Sequence, residues 1–103
     1  MNLNRSPRSI PEFKQILSDY LEWIVLKLCE DKQEHALEDL QEYSALVLNI
    51  TPEERGLPLS SRHETVLANR IRGIAYRLKK KQLLTSPTRG VFKITKKGLA
   101  RLR

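Results

Sequence analysis

Between Ser61 and Leu84, in SRHETVLANRIRGIAYRLKKKQLL, the apolar residues Leu67, Ile71, Ile74, Ala75 and Leu78 return at three- and four-residue steps. That spacing lines them along one side of a helix, where they leave water only by packing against other elements. Arg62, Thr65, Asn69, Arg72, Tyr76 and Lys80 gather on the opposite side. The chain must therefore cover one face of this helix and leave the other open. The open face is rich in side chains that reach DNA base edges and phosphates, so the stretch is expected to be a recognition helix.

Charge follows the same division. Met1 to Ser61 carries 6 lysines and arginines against 11 acids, a balance of −5, whereas Arg62 to Arg103 carries 13 against Glu64 alone, a balance of +12. Charge scattered for solubility would mix signs; this segregation on regular elements points to a polyanion on one face. With 103 residues the chain can bury one core, so a single domain is expected. The single cysteine, Cys29, excludes an internal disulfide and reads as a small buried hydrophobe. Cys29, His35 and His63 fall short of a structural zinc set, so neither metal nor cofactor is expected. The N-terminus lacks an apolar signal core and no run is long enough to span a membrane. A cytoplasmic, nucleoid-associated protein without a membrane partner is the expectation.

Residues 1–8 read as a flexible tail and residues 9–103 as the domain. Ser9-Ile10-Pro11-Glu12 offers a capping box with proline in the first turn. A long helix then runs to about Cys29 on the stripe Ile10, Phe13, Leu17, Tyr20, Leu21, Ile24 and Leu28, with Trp23 and Val25 off that stripe. His35-Ala36-Leu37 predicts a short edge strand, and Glu38 to Val47 a second helix with Leu40, Tyr43, Leu46 and Val47 inward. Thr51-Pro52-Glu53-Glu54 caps a brief helical turn inside a connection that is long for a helix-turn-helix. Ser61 to Glu64 offers a further cap for the basic helix, with Ser60 in competition. Leu83-Leu84 and Val91 to Ile94 predict two strands joined by Ser86-Pro87-Thr88-Arg89-Gly90, and Thr95 caps a last helix, Lys96 to Leu102. The expected fold is mostly α with a small β-hairpin: a winged helix, built from an elaborated helix-turn-helix plus a wing with Arg89 at its tip.

Within that fold Arg62, Asn69 and Arg72 are the leading candidates for base contact, because arginine matches guanine and asparagine matches adenine bidentately. Arg89 is expected on DNA from the wing. Thr65, Tyr76, Lys79, Lys80 and Lys93 are expected at the same interface, with Lys79 to Lys81 supplying attraction that is blind to sequence, and Lys96 and Lys97 as further phosphate candidates. Arg70 borders the apolar stripe and is expected to support the fold through a buried hydrogen bond, with DNA contact as the close alternative. His63 reads as a surface residue near the helix start.

From Thr51 to Leu99 the chain carries T-P-E-E-R, then L-P, then E-T-V-x-x-N-R-I-x-x-x-x-x-x-L-K-K-x-x-L-L, and finally S-P-x-R-G-V-F-x-I-T-x-x-G. In this it resembles the N-terminal domain of Mrr-type restriction endonucleases, and the similarity continues more weakly through the first helix. The resemblance implies a winged-helix module that delivers a nuclease to double-stranded DNA, in prokaryotic defence by restriction of modified, typically methylated, DNA. The family's nuclease domain normally follows this module. A metal-dependent nuclease needs carboxylates to hold its cation, and the Glu-x-Lys run Glu12-Phe13-Lys14 opens a helix. No catalytic residue is expected in this chain. The nuclease is expected on another domain or subunit, or else the chain is a stand-alone binder. Two other readings stay open: a protein-interaction or homodimerisation winged helix using Trp23 on the first helix, and a small transcriptional regulator.

Overall fold

The computed structural model describes residues 6–60 and 63–103. Along the chain it sets α1 (Ile10–Cys29), β1 (His35–Ala36), α2 (Leu37–Val47), α3 (Pro52–Arg55), α4 (Val66–Lys80), β2 (Leu84–Thr88), β3 (Val91–Ile94) and α5 (Lys96–Arg101). This is the expected order, mostly helical with a small antiparallel sheet of order β1-β3-β2, an arrangement compatible with a winged helix. Among the described residues no helix is long and apolar enough to cross a membrane.

Local chemistry sets most boundaries. Ser9 caps α1 in a full capping box with Glu12, and Thr51 caps α3 in the same way with Glu54. Just past the ends of α2 and α4, Asn49 and Gln82 take the left-handed region at φ 52° and 65°. The backward bonds Ile50 N–H to Ala45 C=O and Leu83 N–H to Leu78 C=O close the two ends. The basic helix starts later than the Ser61 signal suggests. Its cap is Thr65, whose hydroxyl accepts from the Ala68 N–H. Ser61 and Arg62 lie outside the described residues. The long connection before α4 is tied back on itself: Leu59 N–H donates to Glu64 C=O and Val66 N–H to Leu57 C=O, both at 2.9 Å.

The core gathers α1, α2, α4 and the inner face of the sheet. Phe13, Leu17, Leu21, Ile24, Val25, Leu26 and Cys29 of α1 are buried, because the end of that helix is enclosed by α2, α4 and β3 together. Ile10 and Tyr20, expected in the stripe, are half in solvent, and Trp23 is 55% exposed. In α2 the inward set is Leu40, Ser44 and Ala45, while Leu46 (67%) and Val47 (47%) face out. Two small residues let α2 approach its neighbours, and the Ser44 hydroxyl is satisfied by donating to Leu40 C=O at 2.7 Å. Burial pushes the Cys29 thiol up to about 12, with the Asp31 charge adding to the effect, in keeping with a cysteine that acts as a hydrophobe.

Two polar anchors complete the fold. Arg8, assigned by sequence to the tail, donates through Nη1 to both oxygens of buried Glu54, at 2.9 and 3.0 Å. Its backbone N–H adds a bond to the same carboxylate, and Nη2 donates to Leu48 C=O. At the other end Thr95 caps α5 and donates its hydroxyl to Gln82 C=O and Leu83 C=O. There Gly98 is needed for close approach, since a Cβ would lie 2.2 Å from Leu83 O and 2.7 Å from Ile94 Cγ1. The hairpin differs from expectation: β2 continues through Ser86 and Pro87 to Thr88, leaving Arg89-Gly90 as a two-residue turn. Proline is tolerated because β2 is an edge strand with an irregular register between Thr85 and Thr88. Gly90 supplies the positive φ of 77°.

Removing one partner of the Arg8–Glu54 pair leaves a buried charge short of donors. Arg8→Ala should lower unfolding free energy by about 3 kcal/mol in urea titration. Gly98→Ala should cost about 2 kcal/mol through its clash with Leu83. Gly73→Ala, on α4 with nothing within 4 Å of the added Cβ, should instead stabilise by about 0.5–1 kcal/mol.

Candidate nucleic-acid interface

Burial of Val66, Leu67, Ile71, Ile74, Ala75 and Leu78 fixes the rotation of α4 about its axis. Asn69, Arg72 and Tyr76 are left on the side away from the core, three and four residues apart and hence neighbours. The structure joins them further. Glu64, just before the cap, accepts from Arg72 Nη1 at 2.6 Å through Oε2 and from Arg72 Nη2 at 2.8 Å through Oε1. Asn69 Nδ2 donates to Glu64 Oε1 at 3.1 Å. The pair stays within reach of solvent, with the Arg72 side chain 42% exposed and that of Glu64 21%. The bonded carboxylate holds the Arg72 pKa above its ordinary value.

Tyr76 ties this face to the wing. Its ring meets buried Phe92 of β3 edge-on, with centroids 5.2 Å apart, and Lys79 Nζ lies 5.9 Å from the Tyr76 centroid. Lys80 is exposed at the end of the helix, and Arg89 stands exposed in the hairpin turn. The hairpin turn is tied to the start of α2 by Leu37 N–H donating to Gly90 C=O at 3.1 Å.

Several expected site residues are placed differently. Thr65 is the α4 cap, its hydroxyl committed to the Ala68 N–H. Lys93 alternates with buried Phe92 and Ile94, so it projects from the outer face of the sheet, away from Tyr76. Lys81 turns to Glu22 of α1, 3.7 Å away, and that carboxylate also meets Arg101 at 3.6 Å. Lys79 to Lys81 are therefore not one uniform grip. Arg70 forms no buried hydrogen bond among the described residues. With Ser18, Gly73 and Arg77 it lines an open cleft of about 380 Å³ between α1 and α4. Arg62 lies outside the described residues.

Two participants escape pattern reading. Arg77 lies on the flank of α4, beside the cleft and off the expected reading face. Glu64 looks like a capping residue, although its being the sole acid after Arg62 marks it as unusual.

The charges of the two halves are also used differently. In the acidic half, Arg8 pairs with Glu54, Lys27 with Glu30 and Arg55 with Glu42. In the basic half, Arg70, Arg77, Lys79, Lys80, Arg89 and Lys93 have no ion pair among the described residues. Apart from Arg72, Lys81 and Arg101, which meet Glu64 and Glu22, these cations form a positive field that suits a polyanion.

A family model described as Mrr N-terminal domain matches residues 19–103, starting within α1 and running through α5. No curated protein and no solved structure matches the chain.

If Thr65 serves α4 as a cap, Thr65→Ala should cost about 1 kcal/mol in urea unfolding while Thr65→Ser stays near neutral. Equal stability of both variants with the wild type would remove that role.

Proposed function

This chain belongs to the Mrr N-terminal domain family, an association with restriction systems of the Mrr kind, and we propose that it binds double-stranded DNA as the target-recognition module of such a system. In this reading α4 enters the major groove with Asn69, Arg72 and Tyr76 towards the bases and sugars, and the hairpin carries Arg89 to the flanking backbone. Arg70 and Arg77 on one flank of α4, with Lys79 and Lys80 at its end, supply phosphate contacts. The observation that carries the reading is the unpaired charge: Arg8, Lys27 and Arg55 of the acidic half are paired internally, whereas Arg70, Arg77, Lys79, Lys80 and Arg89 on α4 and the wing have no ion pair among the described residues and are left for an external anion. Base recognition proceeds by groove contacts. The aromatic residues near this face, Tyr76 and Phe92, pack on each other, which leaves them no pocket for a flipped base.

The test is binding of labelled duplex to the purified chain across a salt series. Each phosphate neutralised releases counterions, so about six contacts would lower affinity about 1,000-fold between ~50 and ~200 mM salt. Lys80→Ala should weaken binding alike on every sequence and flatten the salt slope by about 0.9, as expected for one lost phosphate contact. Affinity insensitive to salt, or no binding at low salt, rejects the reading.

A further inference from the structure

A carboxylate on a face that meets phosphate is repelled by its target, so a surface built for attraction alone would omit one. Yet the only acid between Arg62 and Arg103 stands on this face, bonded to the two side chains best suited to reading bases. The geometry of the contact shows what it achieves. Glu64 grips Arg72 end-on through both terminal nitrogens, which sets the plane of the guanidinium. The Nε–H edge is left over, and with the neighbouring N–H it forms a fork that fits the O6 and N7 acceptors of guanine. Asn69 gives one N–H to Glu64. Its amide oxygen and second N–H remain to meet a base edge.

Charge and order act together here. An unheld arginine at this position would swing to the nearest phosphate, which every DNA sequence offers. Held and neutralised by Glu64, it gains little from phosphate and is pre-ordered for a base edge, at a smaller entropy cost on binding. Specificity of this kind arises as much from what is discouraged as from what is attracted.

We propose that Glu64 is a positioning residue that determines specificity: its carboxylate holds Arg72 and Asn69 in place for base edges and withholds the Arg72 charge from the phosphate backbone. The proposal rests on the DNA-binding reading above.

The experiment measures binding of the full chain to a panel of duplexes that differ in sequence, each over a salt series. It compares wild type, Glu64→Gln, Arg72→Ala and the double variant, all checked for folding by circular dichroism. A bidentate contact separates right from wrong bases by roughly 5- to 150-fold. In Glu64→Gln that spread should collapse to below about 5-fold, average affinity should rise, and the salt slope should steepen by about 0.9 as Arg72 gains a phosphate. In the Arg72→Ala background the same change should leave the slope as it was. Wild-type binding with spread and slope unchanged in Glu64→Gln overturns the role of Glu64 alone. Uniform weakening at constant slope, the mark of a merely structural residue, also overturns it. No wild-type binding at low salt instead overturns the DNA reading, and this proposal with it. Separately from any variant, nitrogen NMR of the free wild type should show distinct, slowly exchanging Arg72 Nη resonances. Averaged resonances would show that the hold does not exist.

Discussion

The seating of α4 governs the remaining geometry. Its Leu67, Ile71, Ala75 and Leu78 are withdrawn from water against α1, α2 and β2, each large side chain contributing about 2 kcal/mol of burial. Because a helix advances by a fixed angle per residue, burying that stripe leaves no freedom in where Asn69, Arg72 and Tyr76 point. Turning α4 by one residue would drive Arg72 towards the core and lift Ile71 out of it. The Tyr76–Phe92 contact couples the same rotation to the sheet. The position of the wing relative to the helix thus follows from packing, and both can meet a single rigid partner.

Around this core the chain divides its charges by use. The N-terminal half is acidic, but much of that charge is engaged locally: Glu12 and Glu54 in capping boxes, Glu54 again with Arg8, and Glu42 with Arg55. Glu22 reaches across to Lys81 and Arg101, offsetting repulsion within the basic half. Exposed pairs of this sort contribute little stability. Their consequence is spatial: Glu22 offsets part of the charge of Lys81 and Arg101 and leaves the field strongest around α4 and the hairpin. Glu64 carries the division onto the outer face of α4, where one acid distinguishes Arg72 from the surrounding cations.

Where expectation and structure part, the competing physics can be named. Leu46 and Val47 looked inward because a hydrophobic pattern marks apolarity, whereas closeness of approach favoured Ser44 and Ala45, and a serine that bonds its own helix is invisible to such a pattern. The cap of α4 is Thr65, which the Pro58–Thr65 bridge and the bonds Leu59 N–H to Glu64 C=O and Val66 N–H to Leu57 C=O fix at the mouth of the helix, while Ser61 lies outside the described residues. Pro87 looked like a turn residue, yet an edge strand with an irregular register accommodates it.

Periodicity, capping chemistry and charge order are local or cumulative properties, so they can be read along the chain. They were sufficient for the order of elements, the buried stripe of α4 and the wing with Arg89 at its turn, while the family was legible only from the motif run between Thr51 and Leu99. Contacts between residues distant in sequence, or between side chains across a cap, depend on how elements dock. Docking alone decided that Arg8 closes over Glu54, that Lys93 faces away from Tyr76, that Lys81 answers Glu22, and that Arg70 lines a cleft. It also turned Glu64 from a presumed cap into the carboxylate that holds Arg72 and Asn69, because only the folded loop before Thr65 brings that side chain over the face of the helix.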